Sequence, residues 1–490
     1  MRILLIDPPY ERLVGFKSEW FPLGLAHLAA YLETKGYPDV GIYHAEHATD
    51  TEYKSIVKYA ENFHNYKEAI DAPTHPVWSE VRQKVQAFAP DVVGLTVLTA
   101  KVPSALRVAK ICREINPGVK IICGGYHANT ASAELLSDPN VDFVVRGEGE
   151  ETLRELLAAL ANHALNFANI SGLSFKTPSG ELVHNQARAL LPDLDALPLP
   201  GRDKLFQLET YTPGQLSMVM TSRGCPYNCA FCASETMWQR KVRYRSIPHV
   251  LKEIRELKDR YGVKHISFMD DAFTIHPERV KDMCQALITE NLNITWTCLT
   301  RVNMITDDII RLMKRAGCIK VDVGVESGNE RILKLIGKKI TPPQVRHAVK
   351  ILRRNKMFWS GFFMFGFPTE TEAEVMDTLN FLKELKPDWA NMSIFTPYPG
   401  TRLYDLAKER GMIKEPVDYT RYSHQNPYSR FTDTIPQERF APLATSVLAD
   451  VHRYNSSYRS LIRRALSRKY HQNPKLLLDD FKKLAAWLKK

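Results

Sequence analysis

Twice along its 490 residues this chain repeats one rhythm, a short apolar run followed by an amphipathic helical pattern. That rhythm confines it to α/β folds built on parallel sheets. The first series fills residues 1–160. Strand-like runs at Arg2 to Ile6, Val40 to His44, Val92 to Val97, Val119 to Cys123 and Val141 to Val145 alternate with helical patterns such as Leu23 to Glu33, Val102 to Ile115 and Glu150 to Leu160. They predict a doubly wound parallel sheet with its ligand beyond the carboxyl ends of the strands. Residues 161–210 read as a linker, with a small hairpin over Ser171 to Asn185 and a proline-rich stretch from Leu190 to Arg202. The second series occupies residues 211–410, with strands at Leu216 to Thr221, Lys264 to Met269, Ile294 to Leu299, Cys318 to Val325, Trp359 to Phe365 and Trp389 to Phe395. Six units are too few for a closed eight-stranded barrel and predict a partial (β/α)6 barrel. Residues 411–490 are expected to form a helical, basic C-terminal region.

Directly after the first strand of the second series stand Cys225, Cys229 and Cys232, spaced C-x3-C-x2-C. Three thiolates this close can ligate three irons of one cubane cluster and leave the fourth open, which suits chemistry rather than structure. A structural zinc site needs four closed ligands, commonly in paired knuckles, and no partner pair lies nearby. A disulfide framework suits eight cysteines in 490 residues poorly, with no secretory signal. The other five, Cys112, Cys123, Cys284, Cys298 and Cys318, mostly fall in apolar stretches and read as buried packing thiols.

The strand ends of the second series carry Met269-Asp270-Asp271, Arg301, Gly324-Val325-Glu326-Ser327-Gly328, Gly366-Phe367-Pro368 and Thr396-Pro397-Tyr398. Together with the three cysteines they resemble the radical S-adenosylmethionine (SAM) enzymes. That resemblance implies a [4Fe-4S] cluster on Cys225, Cys229 and Cys232, with SAM on its open iron. The edge from Met269 to Asp271, Asp270 included, would meet the methionyl amine, and Arg301 the carboxylate. Glu326 and Ser327 would take the ribose, Phe231 the adenine, and Thr396 the last strand end. An ammonium wants an acceptor, a carboxylate a fork of donors and a diol a carboxylate. Arg243 and Arg245 read equally as cluster-loop or substrate contacts and as ordinary surface charge.

The first series ends its strands in Pro8-Pro9, Leu98-Thr99, Gly124-Gly125-Tyr126-His127 and Gly147-Glu148-Gly149. No G-x-G-x-x-G follows the first strand, so a dinucleotide site is weakly supported. The combination resembles the cobalamin-binding domain that precedes many radical SAM modules, and implies cobalamin over these residues. The D-x-H-x-x-G motif that supplies a histidine to cobalt elsewhere is absent, which leaves the lower axial ligand open.

The double resemblance spans residues 1 to about 410. It implies reductive cleavage of SAM to methionine and a 5′-deoxyadenosyl radical, abstraction of hydrogen from an unactivated carbon, and delivery of a methyl group from methylcobalamin. A second SAM restores the methyl group. A ring-modifying relative, such as the anaerobic magnesium-protoporphyrin cyclase, would use both cofactors without methyl transfer. A non-catalytic corrinoid or iron–sulfur sensor is the reading from a different class.

Of the net charge of +11, residues 451–490 carry +9, eleven Lys and Arg against two Asp. The remainder, near +2, argues against a nucleic-acid-binding body. The tail places Phe481, Leu484 and Leu488 on one helical face among lysines. Such a face suits an anionic membrane surface and equally a solvated terminal helix. No apolar run reaches the ~20 residues that span a bilayer. A thiolate cluster points to a reducing, cytoplasmic setting. The expected partners are an electron donor such as flavodoxin or ferredoxin and a small-molecule, lipid or tetrapyrrole substrate.

Overall fold

The structure, a computed structural model, describes residues 1–16, 18–48, 63–457 and 460. Its first sheet contains five parallel strands, β1 (Ile3–Asp7), β2 (Val40–His44), β3 (Val92–Thr96), β4 (Lys120–Gly124) and β5 (Phe143–Val145), in the order β2-β1-β3-β4-β5. Ile3, Leu4, Leu5 and Ile6 are all buried, as a strand covered on both faces requires. Ile3 and Leu5 pack among the apolar residues of helices Leu23–Thr34 and Gly149–Ala161. Leu4 and Ile6 pack with those of Pro76–Phe88 and Val102–Ile115. The chain order reverses at β1, which pairs with both β2 and β3, so the ligand crevice opens at the carboxyl ends of these strands.

The expected hairpin forms, but it is not a free-standing linker. Its strands β6 (Leu173–Lys176) and β7 (Leu182–His184) continue the first sheet antiparallel from β5, giving seven strands. Helices Phe63–Asp71 and Pro76–Phe88, between β2 and β3, were not among the expected patterns.

The second sheet begins at β8 (Met218–Val219). A small antiparallel pair follows, β9 (Ser222–Arg223) and β10 (Arg243–Tyr244). The sheet continues with β11 (His265–Phe268), β12 (Thr295–Arg301), β13 (Cys318–Glu326), β14 (Phe358–Phe365) and β15 (Trp389–Ile394). All six long-sheet strands are parallel in the order β8-β11-β12-β13-β14-β15, the partial barrel that the sequence predicts. The five scattered cysteines are buried free thiols.

The described part of the C-terminal region is helical in its second half. Between 411 and 436 the chain is irregular apart from a single turn at Tyr419–Arg421, and the helix Gln437–Asn455 packs against β15. The basic face of Phe481, Leu484 and Leu488 lies outside the described residues.

Arg202 docks the connector on the second sheet. Fully buried, it donates to Leu216 O (3.2 Å) and Met218 O (2.6 Å) and pairs with Glu253 Oε1 (2.8 Å). Arg245 takes the other oxygen of Glu253 at 2.5 Å, so this arginine is a structural residue of the barrel wall. Removing Glu253 would leave two buried guanidiniums uncompensated. Glu253→Ala is expected to cost about 3–5 kcal/mol, read as a fall in melting temperature. Glu114→Ala, which breaks a half-exposed pair with Arg82, is expected to cost no more than about 1 kcal/mol.

Candidate active site between the two sheets

The loop joining β9 to β10 carries the three cysteines. Gly224 opens it at φ +102°, where a Cβ would stand 2.0 Å from Lys241 O, so only glycine admits the turn. Strands of two residues cannot hold such a loop alone. It is tied from outside instead. Ala230 N–H donates to Ile336 O (2.8 Å), Leu403 N–H donates to Ala230 O (3.0 Å), and Arg402 donates to Asn228 O (2.5 Å). Burial pushes the Cys225 thiol up, whereas Cys232 stands exposed on the loop. Among the described residues no three Cys, His, Asp or Glu converge as ligands of one metal ion. A cubane takes its thiolates on separate irons and does not ask for that convergence.

The barrel strand ends surround this loop. Arg301, at the end of β12, lies 3.6 Å over the Tyr227 ring, with Nη1 3.5 Å from Cys229 Sγ and Nη2 donating to Lys338 O (2.5 Å). Its Nε is buried without a partner. Asp270 Oδ1 accepts from Thr221 N–H (3.1 Å), Thr221 Oγ1 (3.0 Å) and Ser222 Oγ, which fixes the approach to β9. Its Oδ2 is buried and unpartnered, and burial pushes its carboxyl up. Neighbouring Asp271 accepts from Ser234 Oγ at 2.6 Å.

Glu326 ends β13 at φ +68°, beside a register shift against β14. Strained backbone of this kind gathers at ligand sites. Its Oε1 pairs with Lys338 Nζ at 2.6 Å, both side chains buried. Phe231 leans toward Phe367, ring centres 6.3 Å apart. Two expected residues are not open to a ligand through their hydroxyls. Ser327 is fully buried, with Oγ 3.0 Å from Thr378 Oγ1 and accepting from Asn329 N–H (3.1 Å). Thr396 is buried, and its hydroxyl donates to Ile394 O at 3.4 Å.

On the first sheet Pro8 and Pro9 are buried behind β1, whereas Leu98, after β3, is 45% exposed. Gly147 sits at φ +75° with open space where a Cβ would stand. Gly124 and Gly125 bring backbone to the same edge, and Gly149 instead packs toward Leu28. Tyr126 OH accepts from Trp238 Nε1 (3.1 Å). His127 is buried beneath the edge of the Tyr419 ring (4.9 Å), with Nδ1 3.3 Å from Thr99 Oγ1 and Nε2 unpartnered. Burial pushes it down to about 4, so the imidazole is neutral at pH 7.

Glu148 does not face this edge's open space. Its Oε1 accepts from Arg223 (2.7 Å), and its Oε2 from Arg243 (2.7 Å) and Leu191 N–H (2.7 Å). Burial disfavours the charge, but the two guanidiniums outweigh it and hold the carboxyl below its usual range. Arg243 is thereby a cluster-loop contact. The carboxyl edges of the two sheets thus face one another. Loops after β4 and β5 meet the cysteine hairpin, and Thr130 abuts Gly400 beyond β15.

The B12 binding domain model matches residues 13–157, and the Radical SAM superfamily model matches residues 219–382. A protein of Pyrococcus horikoshii named as an uncharacterised methyltransferase is 36% identical over 434 residues, 87% of each chain. The chain belongs to the B12-binding radical SAM enzymes. The anaerobic magnesium-protoporphyrin IX monomethyl ester cyclase of Rubrivivax gelatinosus is 28% identical over 436 residues, 87% of this chain and 73% of the cyclase. The radical SAM methyltransferase TsrM of Kitasatospora setae, solved with cobalamin and a [4Fe-4S] cluster, shares the fold. Its TM-score is 0.66 at 17% identity, over 92% of this chain and 89% of that one.

The cofactors of a B12-binding radical SAM enzyme are a [4Fe-4S] cluster, SAM and cobalamin, and the residues present fit them. Three free thiols share one loop, and the unpartnered Asp270 Oδ2 and Arg301 Nε are an acceptor and a donor for a zwitterionic ligand. Leu98 and the open space at Gly147 offer an apolar, close approach to a flat ring.

Two buried residues of this region have no signal in the sequence. Lys338 joins Glu326 to Arg301, by its ammonium to one and its carbonyl to the other. Glu370, past β14, accepts from Gly366 N–H (2.5 Å) and Phe367 N–H (3.0 Å) on Oε2, while Oε1 has no partner. Burial pushes it from 4.5 up to about 8, so it is protonated at pH 7. The folded state then binds a proton that the unfolded chain has released, and stability falls as pH rises from about 4.5 to about 8. Glu370→Gln imitates the protonated acid. Thermal melts between pH 5 and 8.5 are expected to show a weaker decline for the variant than for the wild type, and it should be the more stable protein at pH 8.5.

Proposed function

We propose that the protein methylates an unactivated carbon, using one SAM as radical source and a second as methyl source. The observation that carries this reading is the edge-to-edge meeting of the two sheets, which brings the cobalamin-side loops onto the hairpin that bears the cysteines. When bound, the cluster supplies the electron that breaks SAM, and the corrinoid carries the methyl group.

The chain's own residues bind and orient. Cys225, Cys229 and Cys232 would hold three irons of the cluster and leave the fourth for SAM. Arg301, its plane fixed by Tyr227 and Lys338, would pair with the SAM carboxylate. Asp270 Oδ2 and the adjacent Met269 edge take the ammonium. Glu326, held by Lys338, takes the ribose, and Phe231 with Phe367 behind it takes the adenine. Leu98, Thr99, Gly124, Gly125, Tyr126 and Gly147 line the corrin, with Pro8 and Pro9 at its margin. Tyr419 roofs His127 and keeps its neutral ring inside the fold. The Michaelis geometry matters more than acid–base chemistry, since a misplacement of 1 Å can cost about a hundredfold in rate.

The P. horikoshii relative supports methyl transfer; the cyclase relatives support a second reading, ring modification without it. Among the described residues no helix is long and apolar enough to cross a membrane. A thiolate cluster calls for the reducing cytoplasm and a donor of flavodoxin or ferredoxin type, and the basic tail offers contact with an anionic membrane. The substrate is a small molecule, lipid or tetrapyrrole. Anaerobic loading with iron, sulfide and cobalamin, followed by methyl-labelled SAM, titanium(III) citrate and an extract of the host, tests the reading. The expected outcome is 5′-deoxyadenosine and S-adenosylhomocysteine together, with label in a product. Unlabelled product would support the cyclase reading, and intact SAM would contradict both.

A further inference from the structure

The polar ties between the cobalamin-binding domain and the cysteine hairpin fall on residues that flank the cysteines on both sides. Ahead of them, Arg223 forks, Nη1 to Glu148 Oε1 and Nη2 to Glu150 Oε1, each at 2.7 Å. Behind them, Arg243 Nη1 reaches Glu148 Oε2 at 2.7 Å, Asn129 Nδ2 donates to Thr236 O (2.9 Å), and Trp238 Nε1 donates to Tyr126 OH (3.1 Å). Asn129 Oδ1 also accepts from Gly147 N–H (2.9 Å), so the loops after β4 and β5 grip as one jaw. Glu148, Glu150 and Arg223 are all buried.

Buried ion pairs add little net stability over apolar groups of the same shape, but they are directional. A guanidinium held by two carboxylates has one plane and one register, which a lysine cannot reproduce. The ties at Ile336, Leu403 and Arg402 hold the cysteine loop to its own barrel, and the ion pairs hold it in register with the other sheet. We propose that Glu148, Glu150, Arg223 and Arg243 form a clamp that sets the distance and angle between the cluster and the corrinoid. The clamp residues position the cofactors and touch neither. This inference rests on the functional reading above.

Two variants test it, Glu150→Gln, which leaves Glu148 bridging both arginines, and Arg223→Lys, which keeps the charge and loses the fork. Each is loaded with iron, sulfide and cobalamin, and iron and cobalt contents are measured. The power saturation of the cob(II)alamin EPR signal is then recorded with the cluster oxidised and reduced, because the relaxation enhancement reports their separation. SAM and titanium(III) citrate are added, and methylcobalamin with its S-adenosylhomocysteine is quantified against 5′-deoxyadenosine.

Full cofactor content is expected, with an altered relaxation enhancement and a methylcobalamin-to-deoxyadenosine ratio changed about tenfold or more. Loaded variants with wild-type enhancement and ratio would overturn the clamp alone. Loss of either cofactor from both variants would also overturn it, since the clamp orients sites that it does not build. A wild-type protein that takes up no cobalamin would overturn the functional reading, and the clamp with it.

Discussion

The site depends on holding still a hairpin that cannot hold itself. Its two strands are two residues long, and its entry turn exists only because Gly224 has no side chain to strike Lys241 O. What fixes it comes from elsewhere: the backbone at Ile336 and Leu403, the Arg301 guanidinium over Tyr227, and the buried carboxylates of Glu148 and Glu150 from the other sheet. Three cysteines on a loose loop would be a sink for iron. On a loop anchored from three directions they can face SAM in one orientation.

That anchoring follows from a general property of parallel sheets, whose ligand-facing groups gather at the carboxyl edge. Here two such edges are turned toward each other, and the irregular segment before helix Gln437–Asn455 reaches back to the first of them through Tyr419, which donates to Glu134 (2.7 Å). Polar atoms are left unsatisfied where the two edges meet, including Asp270 Oδ2, Arg301 Nε and His127 Nε2. Groups of this kind are costly unless something completes them. The first two sit on the barrel side, where SAM is proposed. His127 sits beneath Tyr419, away from solvent.

Much of this was legible in the sequence because it is local. Apolar runs gave the strand positions to within a few residues, and the cysteine spacing marked the loop that joins β9 to β10. What local pattern could not supply was partnership over distance. Glu148 looks like a strand-end ligand residue, yet its partners Arg223 and Arg243 lie 75 and 95 positions away. Ser327 looks like a ribose contact until helix Glu372–Leu385 packs Thr378 against it. Lys338 and Glu370 carry no period or motif, and they matter only because burial makes their charges and protons consequential. The hairpin read as a linker belongs to the first sheet because β5 had a free edge to offer.

Anomalous diffraction at the iron and cobalt edges, on crystals of the anaerobically loaded protein, shows whether the two facing edges hold one site. Iron is expected at Cys225, Cys229 and Cys232, and cobalt between the loops after β3, β4 and β5 and the mouth of the barrel. Cobalt bound away from those strand ends, or iron elsewhere than at the three cysteines, would contradict that arrangement.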